Sequence, residues 1–259
     1  MQDKSLLDHS LTPNPRMIHF YELKPAASRA DLSIGYLPLT RTVILILNYK
    51  KLPYQIHQIS PKDIRTKLKS FGILLSEDGG ETQFTTYPIL FIHDTTTNQV
   101  VFDSLDVAEY LDEAYPDTPR VIPRGTRVLQ HAFSNNILSN MFALHPVLCP
   151  QLKRHLSPEV LAQQRKILGS KILDVELEPE EAWRKVKASF EALGKAFGRQ
   201  KGTFIMGEDS PTFADFTLVS FIWCVNVAYG EHSQEWDEVR GWASGRIGRL
   251  CEEVMSICR

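Results

Sequence analysis

The chain has 259 residues, is 43% hydrophobic and carries 29 Lys and Arg against 31 Asp and Glu. That length supports one large domain or two smaller ones with their own cores, and a net charge of −2 gives no electrostatic reason to expect nucleic acid or an anionic membrane as partner. The four cysteines (Cys149, Cys224, Cys251 and Cys258) all lie in the second half without a Cys-x-x-Cys pair, which argues against a disulfide scaffold or a zinc site.

Residues 1–16 are polar, carry Pro13 and Pro15, lack the apolar core of a signal peptide and read as a flexible tail. Met17 to Leu23 predicts a first strand, and 25–36 a loop. Thr42 to Leu47 is β-branched and apolar and alone would read as a buried strand. The length of segment 38–51, Pro38 in a first-turn position and the polar Asn48 to Lys51 end favour a helix instead. A second strand follows over 53–59, then a short polar helix or loop over 61–69 and an acidic, Gly-containing connection over 76–86. Strands over 89–93 and 99–102 flank the turn-rich Asp94 to Asn98. Ser104 to Ala114 predicts a helix with Val107, Leu111 and Ala114 along one face.

Proline and glycine between 115 and 125 mark a linker. Beyond it, helical patterns run over 128–154, 158–173, 179–199 and 212–229. The last is apolar all round, which places it at the centre of its domain. It opens on Thr212 and Asp215, spaced for a reciprocal cap. No stretch is apolar for long enough to span a bilayer, and a reduced, cytoplasmic setting is the expectation.

Two short pieces carry chemistry. Tyr87-Pro88 stands at the mouth of an apolar strand. Proline is tolerated at a strand start or in a turn, where a cis bond is accessible, and the preceding residue's backbone is left to pair with an extended peptide. Asp103-Ser104 closes a strand and opens a helix, whose unpaired N–H groups attract a carboxylate. Together they suggest a site for a small acidic peptide carrying a thiol. Other chemistries find little support. His19, His57, His93, His131, His145 and His155 show no helix-spaced metal pair, and no phosphate loop or dinucleotide glycine pattern is present. Asp112 and Glu113 are neighbours pointing different ways, a poor acid–base pair, and Cys224 reads as a small buried hydrophobe.

Asn48 to Tyr54, Tyr87-Pro88, Asp103-Ser104, Tyr110 to Pro119, Phe204 to Gly207 and Phe213 to Phe216, in this order and spacing, resemble the glutathione transferases. Gly230 to Trp236 and Trp242 to Arg246 point to the fungal-specific A class, related to bacterial β-etherases that cleave lignin-type ethers with glutathione. The similarity spans about residues 17 to 251. It implies an α/β plus all-α protein of glutathione transferase fold. A thioredoxin-like, glutathione-binding domain would cover 17–115, a linker 116–126 and a C-terminal helical bundle for the acceptor 127–259. Glutathione is the implied cofactor. Tyr87, before Pro88, would pair its backbone with the cysteinyl part. Asp103 would take the ammonium of the γ-glutamyl end, and the Ser104 hydroxyl with the helix N-terminus its carboxylate. The sulfur would point at the helix start near Pro38, where N–H groups and a hydroxyl lower a thiol pKa. The second domain would supply an apolar wall for a small hydrophobic electrophile, with Asn135, Met141, Phe142 and Trp223 as candidates. Each also reads as core, and helical spacing favours packing for Phe142 and Trp223. A catalytic thiol at Cys149 or Cys251 would sit in the wrong domain. A homodimer and a monomer both fit.

One position departs from the family pattern. Related members have a serine just before the proline matching Pro38, and this chain has Leu37. The nearest hydroxyls are Ser33, Tyr36, Thr40 and Thr42. Tyr36 and Thr40 are the candidates for thiol activation, although consecutive residues need not face the same way and Thr40 could instead support the helix end. A hydroxyl bond to a charged sulfur contributes about 1.5–3 kcal/mol, so its loss raises the thiol pKa or leaves activation to backbone donors. That disfavours unreactive halides as acceptors. Three functions compete: a transferase adding sulfur to an electrophilic carbon of a fungal metabolite or xenobiotic; an isomerase that adds the thiol reversibly to a conjugated alkene, of the kind recruited to pseurotin-type pathways; and a binding protein without turnover.

Overall fold

The computed structural model describes residues 17–24, 35, 37–74, 90–144, 147–148, 150–151, 158, 162, 178–198, 201–206 and 209–259. Its first part is a mixed four-stranded sheet with strands β1 (Ile18–Leu23), β2 (Tyr54–Ile59), β3 (Leu90–Asp94) and β4 (Gln99–Phe102) in the order β2-β1-β3-β4. β1 runs parallel to β2, with Ile18 opposite Tyr54, and antiparallel to β3, with Ile18 opposite Asp94. Successive strand residues face opposite sides. Ile18, Phe20, Leu90 and Ile92 therefore join the large core under helices α1 (Pro38–Tyr49) and α3 (Ser104–Ala114), while Tyr21, Leu23, Phe91 and Phe102 pack on Ile64 and Leu68 of α2 (Pro61–Ser70).

Helix α1 shows tertiary context overriding propensity. Its β-branched run is helical because the helix is wedged between the sheet and the second domain, with Val43, Leu45, Ile46 and Leu47 at most 3% exposed. Pro38 is its first residue, and the Thr42 hydroxyl donates back to Pro38 O at 3.0 Å.

The second domain holds α4 (Arg127–Ala143), α5 (Pro179–Phe197), α6 (Phe213–Tyr229) and α7 (Gln234–Ile257). The helix expected to continue to Arg154 is followed to Ala143, and most of the one expected over 158–173 lies outside the described residues. Helix α6 is buried without a break from Phe213 to Val225 except at Trp223, and it packs on α1. The Thr212–Asp215 capping box is present. Helix α7, for which the sequence offered motifs rather than an element, is kinked at Trp242–Gly245, where Ala243 and Ser244 adopt φ of 53° and 57°. Gly194 on α5 permits that kink, since a Cβ there would lie 2.5 Å from the Ala243 methyl. Among the described residues no helix is long and apolar enough to cross a membrane.

Asp215 does more than cap. Its carboxylate accepts from Thr212 N at 2.8 Å and Ile205 N at 2.7 Å, so it also fastens segment 201–206 to α6. Burial raises its pKa to about 6, the hydrogen bonds from Thr212 and Ile205 pulling the other way without cancelling it. The carboxyl ionises more readily in the unfolded chain. Its contribution to stability is therefore fully present below about pH 4 and is lost as pH rises through about 6. Relative to Asp215→Asn, the wild-type unfolding free energy should fall by about 3 kcal/mol across that window. Parallel urea titrations of the two proteins at pH 4 and pH 7 measure it, and equal pH dependence would show that Asp215 does not titrate in this range.

Candidate functional site

A cavity of about 350 Å³ opens between the two domains. Asp103, Ser104 and Asp106 at the start of α3 form one wall, with Leu39 of α1 beside them. Arg127, His131 and Asn135 of α4 form the opposite rim, and Phe213, Thr217 and Phe221, one turn apart along α6, line the floor.

The α3 start is built from Asp103. Its Oδ1 accepts from Leu105 N at 2.8 Å, and its backbone sits at φ 63°, ψ 145°, a region that costs a non-glycine residue on the order of 1–3 kcal/mol. Ser104, 3% exposed, is the first helical residue. A helix N-terminus presents N–H donors to an anion, and here carboxylates stand beside it. Donors for a carboxylate and acceptors for an ammonium therefore lie side by side. Asp106 is raised in pKa, first by burial and then by the neighbouring Asp103 charge, with Arg127 opposing. Arg127 bridges the domains at the mouth, donating to Asp106 Oδ1 at 3.0 Å and Glu109 Oε2 at 2.7 Å. These contacts are exposed and orient more than they stabilise.

The structure separates the other sequence candidates. Asn135 is exposed on the cavity rim, within 3.3 Å of the His131 ring. Trp223 lies two residues beyond Phe221, on a different side of α6, with Arg41 over its ring at 4.1 Å and Trp236 edge-on at 5.7 Å. Thr40 is fully buried, its hydroxyl donating to Leu37 O at 2.8 Å and also bonded to Glu22. Leu37 packs into the α2-side core. Tyr36, Tyr87 and Pro88 lie outside the described residues, as do the side chains of Met141 and Phe142.

Three residues escaped the sequence reading. Glu22, 0% exposed, accepts from Gly35 N at 3.0 Å and Gln58 Nε2 at 3.3 Å, and burial raises its pKa against those bonds. Arg127 immediately follows the linker. Arg41 interrupts an apolar helix, a lone cation between Thr40 and Val43, and that pattern was the available signal.

The glutathione S-transferase N-terminal domain model matches residues 38–114, and the C-terminal domain model of the same family matches 128–256. The chain belongs to the glutathione S-transferase family. Its relatives include the glutathione S-transferase-like protein ustS of Aspergillus flavus, 28% identical over 223 residues, covering 80% of this chain and 79% of that protein. Among solved structures, a glutathione S-transferase of Ceriporiopsis subvermispora in complex with glutathione is 27% identical, with a TM-score of 0.76 over 93% of this chain and 97% of that one. The glutathione transferase GSTFuA2 of Phanerochaete chrysosporium is 26% identical, also with a TM-score of 0.76, over 93% and 98%. Both parts of the transferase fold are therefore present: the thioredoxin-like domain with its mixed sheet and the helical domain.

Proposed function

We propose that this transferase binds glutathione across residues 17–115 and adds its sulfur to an electrophilic, unsaturated small molecule held against the helical domain, 127–259. The observation that carries the proposal is the α3 start: Asp103 in its strained conformation beside Ser104, both opening onto the inter-domain cavity. The γ-glutamyl head is a zwitterion, and its ammonium suits Asp103 while its carboxylate suits the Ser104 end of the helix. Tyr87 and Pro88 take the cysteinyl backbone. The sulfur comes to the tip of α1, where backbone N–H groups favour the thiolate. Leu37, committed to the α2-side core, offers the sulfur nothing, and this favours an acceptor reactive enough to need little thiol activation.

The likeness to GSTFuA2, and to GSTFuA3 of the same fungus at 28% identity, supports placement in the fungal-specific A class. Conjugation and reversible addition with cis/trans isomerisation share every step up to carbon–sulfur bond formation. Incubation with glutathione and a polyunsaturated enone separates them. A product heavier by one glutathione marks conjugation, and a glutathione-dependent shift in retention at unchanged mass marks isomerisation. Enone binding without turnover would instead support a binding protein, and a reaction independent of glutathione would remove the proposal.

A further inference from the structure

Arg41 is a cation without a counter-ion among the described residues. Its side chain leaves α1 toward α6 and α7 and is largely buried there, and burial lowers its pKa to about 10. Among the described residues it makes no ion pair, its Nε has no hydrogen-bond partner, and its Nη2 reaches only the thioether sulfur of Met255 at 3.4 Å. The groups facing it are Trp223 and Cys224 from α6, Cys251 from α7 and Cys258 just beyond the end of α7. Burial pushes those three thiols up to about 12, so they stay neutral.

Retaining a charge in such surroundings is costly unless something negative joins it. The guanidinium lies over the Trp223 ring at 4.1 Å. The ring holds the guanidinium in place by cation–π attraction, and the Nε donor is left without a partner among the described residues. Helix geometry adds direction, because side chains lean toward the helix N-terminus. From position 41 that lean is toward the tip of α1. Arg41 and Leu39 are two residues apart and point to different sides of α1. Leu39 lines the cavity with Asp103, whereas Arg41 meets the apolar wall of the second domain.

We propose that Arg41 is the receptor for an anionic oxygen of the acceptor, with Trp223 and Met255 as the adjoining apolar platform. This rests on the glutathione-dependent reading above and narrows its substrate class. The oxygen has two sources: a carboxylate the acceptor already carries, or the enolate formed as sulfur adds. In the second case the thiolate pair forms the C–S bond at the β-carbon, the alkene electrons move to the carbonyl oxygen, and a proton from water then reaches the α-carbon.

The test compares ethacrynic acid, an enone with a carboxylate, with its methyl ester, in wild type, Arg41→Met, Arg41→Gln and Arg41→Lys. Recognition of the carboxylate predicts a kcat/KM preference of about tenfold or more for the acid, abolished in Met and Gln and partly kept in Lys. Recognition of the enolate predicts an equal fall in kcat for acid and ester. Binding of 8-anilinonaphthalene-1-sulfonate against neutral N-phenyl-1-naphthylamine gives a readout that needs no turnover. If the wild type neither binds glutathione nor turns over either enone, yet prefers the sulfonate through Arg41, the catalytic reading fails and the anion receptor stands. Folded Met and Gln variants with unchanged acid-to-ester ratio, kcat and sulfonate preference overturn the proposal.

Discussion

Replacing Asp112 by alanine should destabilise the protein by about 3–5 kcal/mol, the scale set by leaving one member of a buried ion pair alone. Lys50 Nζ lies 2.6 Å from Asp112 Oδ1, and both side chains are 0% exposed. Neither group is left short of partners. Lys50 also donates to Pro119 O at 2.8 Å and Thr118 Oγ1 at 3.1 Å, and Asp112 accepts from Val121 N at 3.0 Å and Ile122 N at 2.8 Å. Burial lowers the Lys50 pKa, and Asp112 acts against that fall. One interaction thus ties the end of α1 to α3 and to the segment leading into the second domain. The opposite ends of the same two helices carry Leu39 and Asp103, which both line the cavity. Asp112→Ala leaves a buried ammonium without its counter-ion, whereas Lys50→Met with Asp112→Leu removes both charges and should cost less; the Val121 and Ile122 N–H groups lose their acceptor in both. Urea unfolding of the three proteins measures this. A loss below about 1 kcal/mol for Asp112→Ala would mean that water replaces the pair, as it does for exposed bridges.

Asp103→Gly should separate stability from function. Glycine adopts positive φ without the steric penalty an aspartate meets at φ 63°, and as a helix cap it is only a few tenths of a kcal/mol poorer. The variant should be as stable as wild type, or more stable by about 1 kcal/mol. It also lacks the carboxylate assigned to the glutathione ammonium. Losing a charge-assisted hydrogen bond of about 1.5–3 kcal/mol weakens glutathione binding roughly 10- to 150-fold. Thermal unfolding and calorimetry on the same samples measure both. Unchanged affinity would dissociate Asp103 from the ligand, and a large fall in melting temperature would show that the carboxylate serves the fold.

Much of the fold was legible because it rests on local rules. Pro38 and a polar helix end outweighed a β-branched run in α1, and the spacing of Thr212 and Asp215 announced the start of α6. Asp103-Ser104 was visible as a strand end meeting a helix start. Long-range electrostatics was not visible. Lys50 and Asp112 are 62 positions apart, joined by 2.6 Å only once α1 and α3 pack, and Asp112 read merely as half of a poor acid–base pair. The setting of Arg41 likewise exists only once α6 and α7 pack against α1. Side-chain direction was equally hidden: Leu37 and Thr40 flank the helix start, yet one enters the α2-side core and the other bonds Leu37 O. The left-handed kink in α7 has no composition signal at Ala243 or Ser244, because it depends on the missing side chain of Gly194 across the interface.

A crystal structure of the complex with glutathione probes the site most directly. It should show the tripeptide's ammonium within hydrogen-bonding distance of Asp103, its γ-glutamyl carboxylate at the Ser104 end of α3, and its sulfur at the tip of α1. Glutathione seated elsewhere, or a sulfur directed away from α1, would contradict the account.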